Sequence, residues 1–138
     1  MPLLNVFDIA GSAMSAQSIR LNVTASNMAN IDSIGSSMDE VYRARYPVFE
    51  TVFNNVMQAN SVNAGVRVAG IVESQAPPKM EYQPDHPNAN EEGYIFRSNV
   101  NVMEEMANMV SASRAYQNNV EIINASKQML TKTLSLGQ

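Results

Sequence analysis

The only histidine of the chain, His86, lies in the segment "PDHPNANEEG". Imidazole is the side chain best suited to proton transfer and zinc binding near neutral pH, so it is the first place to look for chemistry. Such a histidine works with partners, and the chain has no second histidine and no cysteine. Zinc sites built from several His or Cys ligands are thereby excluded, as are disulfides and thiolate nucleophiles. His86, set between Pro84 and Pro87, reads as a turn residue. The same loop places Asn88, Asn90 and Glu92 at the first, third and fifth positions of an EF-hand-like frame, with Gly93 at the sixth. The frame fails where charge matters: Asn replaces Asp at the first position, and Asn99 replaces the bidentate Glu at the twelfth. Glu104 and Glu105 are adjacent carboxylates, but they open a long helical segment. Acids there suit the positive end of a helix better than the spaced pair of a glycosidase cleft. The sequons Asn22-Val23-Thr24 and Asn124-Ala125-Ser126 both fall inside helical segments and read as chance matches. No catalytic, metal or cofactor site is therefore expected.

Composition narrows the remaining classes. The chain has 138 residues, 45% of them hydrophobic, which is enough for one domain with a core. Its net charge is −4, and its nine Lys and Arg residues are spread singly. That distribution lacks the basic patch needed to neutralise a phosphate backbone, so no nucleic-acid partner is expected. No apolar run reaches the length of a membrane span. The opening "MPLLNVFDIAGSAMSAQ" has neither a basic start nor a continuous apolar stretch, so no Sec-type signal is expected. Ten methionines and no tryptophan make the apolar set adaptable in shape.

The elements that position these residues follow from periodicity. Phe7, Ala10, Met14, Gln17, Leu21, Thr24, Met28 and Ile31 recur at alternating spacings of three and four, with Ile9, Ala13, Ala16 and Val23 on a neighbouring line. This predicts one helix over 4–30, about 40 Å long. Residues 31–42 read as a loop. The segment 43–53 reads as a strand with an edge-type Pro47, 54–65 as a turn-rich connection, and 66–75 as a second strand with a bulge at Gly70. Met80 and Tyr82 mark a short strand before a Pro-rich loop that closes at Gly93. From Asn99 onward, Val102, Met106, Met109, Ser113, Tyr116, Val120, Ile123, Lys127, Leu130 and Leu134 continue the four–three spacing over more than four heptads. That predicts a second helix of about 50 Å. Polar seam members such as Gln17 and Ser113 lower stability but specify register and partner.

The expected fold class is α+β. Long N- and C-terminal helices (1–32 and 99–138) pack as a coiled-coil-like pair, with a loop and a small antiparallel β module inserted at 33–98. Such an insert is too small to bury both helices along their length. Their remaining faces need other copies, which points to an assembly subunit. A soluble adaptor offering its paired helices as a groove for a partner helix is the alternative.

Three segments carry a family resemblance. The opening "VFDIAGSA" followed by "ASNMANIDS", the stretch "VESQAPPKMEYQPDHPNANEEGYI", and the C-terminal "NVNVMEEMANMVSASRAYQNNVEIINASKQMLTKTLSLGQ" are similar to the bacterial flagellar rod and axial proteins. The segment "DEVYRARYP" departs from the family, keeping Tyr42-Arg43 but lacking the Gly and Pro of a Gly-x-Pro-Tyr-Arg turn. The resemblance implies a non-enzymatic subunit of the proximal rod in the periplasmic space, exported through the flagellar type III apparatus. It implies as partners the other rod proteins, the rod–export-gate adaptor and further copies of the chain. It also implies that the terminal helices form an inner tube with the middle module outside.

By that analogy Met14, Leu21, Met28, Met109, Tyr116, Val120, Ile123, Leu130 and Leu134 carry packing within and between subunits. Phe7, Gln17, Met106 and Ser113 belong to the same seams. In "TASNMANIDS", Asn30 reads as a C-terminal cap of the first helix. Asn27 reads as a buried amide whose hydrogen bond at a helix contact fixes register between subunits. If the C-terminal seam is a packing surface, Leu130→Asp abolishes incorporation into the rod and swimming. Normal swimming of that variant on soft agar would contradict the assignment.

Overall fold

The computed structural model describes residues 2–54 and 63–136. Helix α1 spans Pro2–Ala29 and helix α2 spans Val102–Leu136. Between them lie β1 (Ile34–Gly35), β2 (Arg45–Asn54), β3 (Asn63–Glu73), β4 (Lys79–Tyr82) and β5 (Tyr94–Arg97). The α+β class, the two long terminal helices and the antiparallel strands between them agree with the sequence reading. Most of the expected connection at 54–65 lies outside the described residues.

The middle region differs from a single β module. It forms two separate sheets: a hairpin β2–β3, and a three-stranded antiparallel sheet in the order β1-β5-β4. Strand β1 lies inside the segment expected to be a loop, and β5 follows directly on the loop that closes at Gly93. Both are too short to show a period of two, and they become strands only by pairing. Ile34 sits opposite Arg97, and Met80 opposite Phe96.

Hairpin β2–β3 follows its sequence signals closely. Pro47 is paired with Ile71. It is tolerated because both strands of a two-stranded sheet are edges. The register shifts between Val48, opposite Gly70, and Phe49, opposite Val68. Ala69 is therefore the extra residue of a bulge, next to the glycine that signalled it.

The loop between β4 and β5 is tied by its own polar groups. Asn90 Oδ1 accepts the backbone N–H groups of Glu92 (3.1 Å) and Tyr94 (2.8 Å). His86 Nδ1 accepts the N–H of Asn88 (3.1 Å). Of the residues that resembled calcium ligands, Asn90 thus uses its side-chain oxygen as a turn former. Gly93 adopts a left-handed φ of 81°, and a Cβ there would approach Tyr82 Cε2 to 2.9 Å. Tyr82 and Tyr94 close the loop with an edge-to-face contact, their centroids 5.1 Å apart.

The chain leaves α1 and enters α2 at the same end of the molecule, because Ser98 N donates to Ser33 O at 3.2 Å. The helices therefore pack antiparallel, and Arg20 Nη2 donates to Asn108 Oδ1 across them at 2.8 Å. The apolar core is concentrated beneath the small sheet and the helix bases, in Val41, Ala44, Ile95, Phe96 and Val100. Along the helices the buried side chains are smaller: Ala10, Ala16, Val23 and Thr24 on α1, and Ala112 and Ser126 on α2, with Glu105 beside them. Ala16 and Val23 line clefts against the hairpin, with Val66, Val68 and Ile71.

Candidate assembly surface and helix–hairpin junction

Asn27 projects from the last full turn of α1 and is completely buried. Its Nδ2 donates to the Arg45 carbonyl at 2.8 Å, and its Oδ1 accepts the Arg45 N–H at 2.9 Å. The same Oδ1 accepts from the Tyr42 hydroxyl at 2.8 Å. An amide oxygen has two lone pairs, so this acceptor is saturated. The expected buried hydrogen bond is present, but its partner is the hairpin of the same chain. Asn27 holds the first residue of β2 to α1 as a neighbouring strand would. A link between subunits through its oxygen has no acceptor capacity left.

Asn99, just before α2, does the matching work from the other side. Its Oδ1 accepts the Ala44 N–H at 2.8 Å and its Nδ2 donates to the Ala76 carbonyl at 2.8 Å. Ser74 N closes the hairpin root by donating to Ala44 O at 2.7 Å. Two asparagines, one per helix, thus grip the base of β2. Farther along, Ser12 Oγ on α1 accepts the Val66 N–H of β3 at 3.2 Å. Around the root, the Arg45 guanidinium stacks 5.5 Å from the Tyr42 ring centre and pairs with Glu73 at 2.9 Å. Asn30 caps α1, donating Nδ2–H to the Ser26 carbonyl at 2.8 Å.

Asn99 was not singled out as a site by the sequence. One polar residue ahead of a helix looks like an ordinary cap, and nothing local reveals its reach to residues 44 and 76.

An open cleft of about 400 Å³ lies between α1 and the hairpin root, lined by Ile19, Val23, Tyr42, Arg45, Ile71 and Glu73. Its two charged groups, Arg45 and Glu73, pair with each other, and Ser26, which also lines it, shares a hydrogen bond with the Tyr42 hydroxyl.

The expected seam residues fall into two groups in the single chain. Phe7, Met14, Gln17, Leu21, Met28 and Asn30 on α1 are half-buried, as are Met109, Ser113, Val120, Ile123 and Leu130 on α2. Met106, Tyr116 and Leu134 are exposed, Leu134 by 73%. The residues of α2 buried most deeply are Glu105, Ala112 and Ser126, which recur at multiples of seven. The most deeply buried positions of α2 are thus small or polar, and Ile123 and Leu130, five turns beyond Glu105 and Ala112, lie half-buried on the same face. Val102, Met103, Met106 and Val110 add a second exposed apolar stretch at the start of α2.

Beneath this stretch sits Glu105, 1% exposed, with neither carboxylate oxygen meeting a donor of the chain. The nearby Tyr46 phenol is held above its ordinary pKa. Burial is the main cause, followed by the negative charges of Glu104 and Glu105.

Replacing Asn27 by Ala orphans the N–H and C=O of Arg45 together with the Tyr42 hydroxyl. We expect Asn27→Ala to cost about 2–3 kcal/mol. Asn27→Asp should be nearly as damaging, because it sets an oxygen against the Arg45 carbonyl. Thermal denaturation of the full chain checks this, and a shift under 1 °C for both would contradict the role.

Comparison with known proteins fits this architecture. Residues 7–35 match the family described as Flagella basal body rod protein, and residues 91–136 match Flagellar basal body rod FlgEFG protein C-terminal. The two matched segments cover most of α1 through β1, and β5 with all of α2. Over the full length of both chains, the protein is 51% identical to the flagellar basal-body rod protein FlgC of Escherichia coli O6:H1. Against that of Salmonella typhimurium the identity is 50%, again over both full lengths. A more distant relative, FlgC of Borreliella burgdorferi, is 34% identical over all of this chain and 99% of its own length. Helix seams, hairpin root and full-length identity converge: the chain belongs to the FlgC family of flagellar basal-body rod proteins.

Proposed function

We propose that the protein is a structural subunit of the proximal rod. It would transmit torque as part of the drive shaft and help to line the export channel, without catalysing a reaction. The observation that carries this reading is the division of labour on α2. Its most deeply buried residues are Glu105, Ala112 and Ser126, whereas Met106, Tyr116 and Leu134 of its apolar seam are exposed. An alanine contact buries far less apolar area than a leucine contact, and each Å² contributes roughly 25 cal/mol. The larger gain is available only when a neighbour covers the exposed seam.

Such contacts join different patches on successive copies. Heterologous contacts that do not close into a ring extend into a helical filament, which is the geometry of a shaft. The partners in this reading are other copies of the chain, the other rod proteins and the rod–export-gate adaptor. The subunit reaches the periplasmic part of the basal body through the type III export machinery.

Deleting the gene from its source bacterium and restoring it with an epitope tag tests the reading. The deletion strain should lose swimming. The tagged chain should restore it and sediment with purified basal bodies. A deletion strain that swims normally would overturn it.

A further inference from the structure

The apolar stretch that opens α2 is displayed on a fixed helix. Asn101 caps its first turn: Oδ1 accepts the Met103 N–H at 3.1 Å, and the carbonyl accepts the Glu105 N–H at 3.0 Å. At about 100° per residue, Val102, Met103, Met106 and Val110 fall within roughly 100° of the helix circumference. The buried line through Glu105 and Ala112 lies about 120° from the centre of that stripe. All four side chains are exposed, Met103 by 75% and Met106 by 50%. Half of the stripe is therefore thioether open to solvent, with the two sulfurs one helical turn apart.

The thioethers differ from the valines beside them in one chemical respect. A peroxide oxidises an accessible thioether to a sulfoxide, and the product is polar where the reactant was apolar. The chain has no cysteine, so methionine holds its only sulfur. The other methionines exposed among the described residues stand away from the stripe. Met38 precedes β2 and Met80 lies on β4, while Met129 is about 130° around α2 from the stripe.

We propose that Met103 and Met106 are an oxidation site of the unassembled subunit, and that their sulfoxides bar it from the rod. In the step, the sulfur lone pair attacks one oxygen of hydrogen peroxide. The O–O bond breaks and an S–O bond forms; the attacked oxygen passes its proton to the departing hydroxide, which leaves as water. Sulfur loses two electrons and the peroxide gains them. A rod subunit seated on the oxidised stripe would bury two sulfoxide oxygens without donors, which opposes the contact. Once assembly has occurred, the same neighbour keeps peroxide from both sulfurs. The site rests on the rod-subunit reading, because a neighbouring subunit supplies that cover.

Peroxide footprinting of the full-length chain, read by peptide mass spectrometry, tests the accessibility. In the free chain Met103 and Met106 should oxidise at least about fivefold faster than half-buried Met14 and Met28. In purified basal bodies their rates should fall about tenfold or more relative to the free chain. Equal rates in the two preparations would overturn the proposal, as would free-chain rates no faster than those of Met14 and Met28.

Assembly is tested in a strain lacking its own copy. Met103→Gln/Met106→Gln sets sulfoxide-like polarity at both positions, and the amount sedimenting with basal bodies should fall about tenfold. Met103→Leu/Met106→Leu and the control Met38→Gln/Met80→Gln should both stay near wild type. Incorporation of the Met103→Gln/Met106→Gln chain at the wild-type level would overturn the proposal. If that pair fails to fold, the single variants Met103→Gln and Met106→Gln decide in the same way. Absence of the unmodified wild-type chain from the basal bodies would be a different failure, one that removes the rod reading and the barrier with it.

Discussion

The pairing of Asn27 with the backbone of Arg45 is the interaction on which the rest of the architecture depends. A hairpin of two strands is marginal by itself, because each strand has an unpaired edge and little apolar surface beneath it. Here a side-chain amide supplies the donor and the acceptor that a third strand would supply, at 2.8 and 2.9 Å. The amide is rigid, buried and carried on a helix, so it sets the position of β2 along α1. Asn99 repeats the device from the start of α2, and the two together make one joint from three elements. A hydrophobic side chain could bury the same volume. It could not match both polar groups of a strand end, which would otherwise be orphaned.

A joint this specific is combined with a helix pair that is only lightly tied. The fully buried residues of the two helices are chiefly small (Ala10, Ala16, Thr24, Ala112 and Ser126), with Val23, Asn27 and Glu105. One side-chain hydrogen bond crosses between the described helices, from Arg20 to Asn108. Larger apolar residues lie to the side, half-buried or exposed. A free-standing domain would turn that surface inward, since contiguous exposed apolar area is uncommon on monomers. In the rod-subunit reading proposed above, the same arrangement leaves that apolar area for neighbouring subunits to cover. Specific polar matching sets the internal geometry.

Much of this was legible in the residues. The four–three spacing located both helices, and the Pro47 and Gly70 signals located the edge strand and the bulge of the hairpin. Phe7 to Ile31 and Val102 to Leu134 were recognisable as apolar lines. Which line faces the chain's own partner helix was not, because hydrophobic periodicity cannot register a contact built from Ala112, Ser126 and Glu105. Strands β1 and β5 were too short to show alternation, and their pairing is long-range. Asn27 was read as a buried amide at a helix contact from the segment "TASNMANIDS". Its partner was not, because residue 45 reaches it only through the fold. The rod role rests chiefly on the quoted family segments; spacing alone pointed only as far as an assembly subunit.

A density map of isolated basal bodies, at a resolution that traces side chains, tests the central claim most directly. The account predicts this chain in the proximal rod, with α1 and α2 in the inner tube and hairpin β2–β3 outside them. It also predicts that the Asn27 amide still lies against the Arg45 backbone, with neighbouring subunits over Met106, Tyr116 and Leu134. A rod without this chain would contradict the account. So would a chain whose hairpin has left Asn27 while its helical seams remain open to solvent.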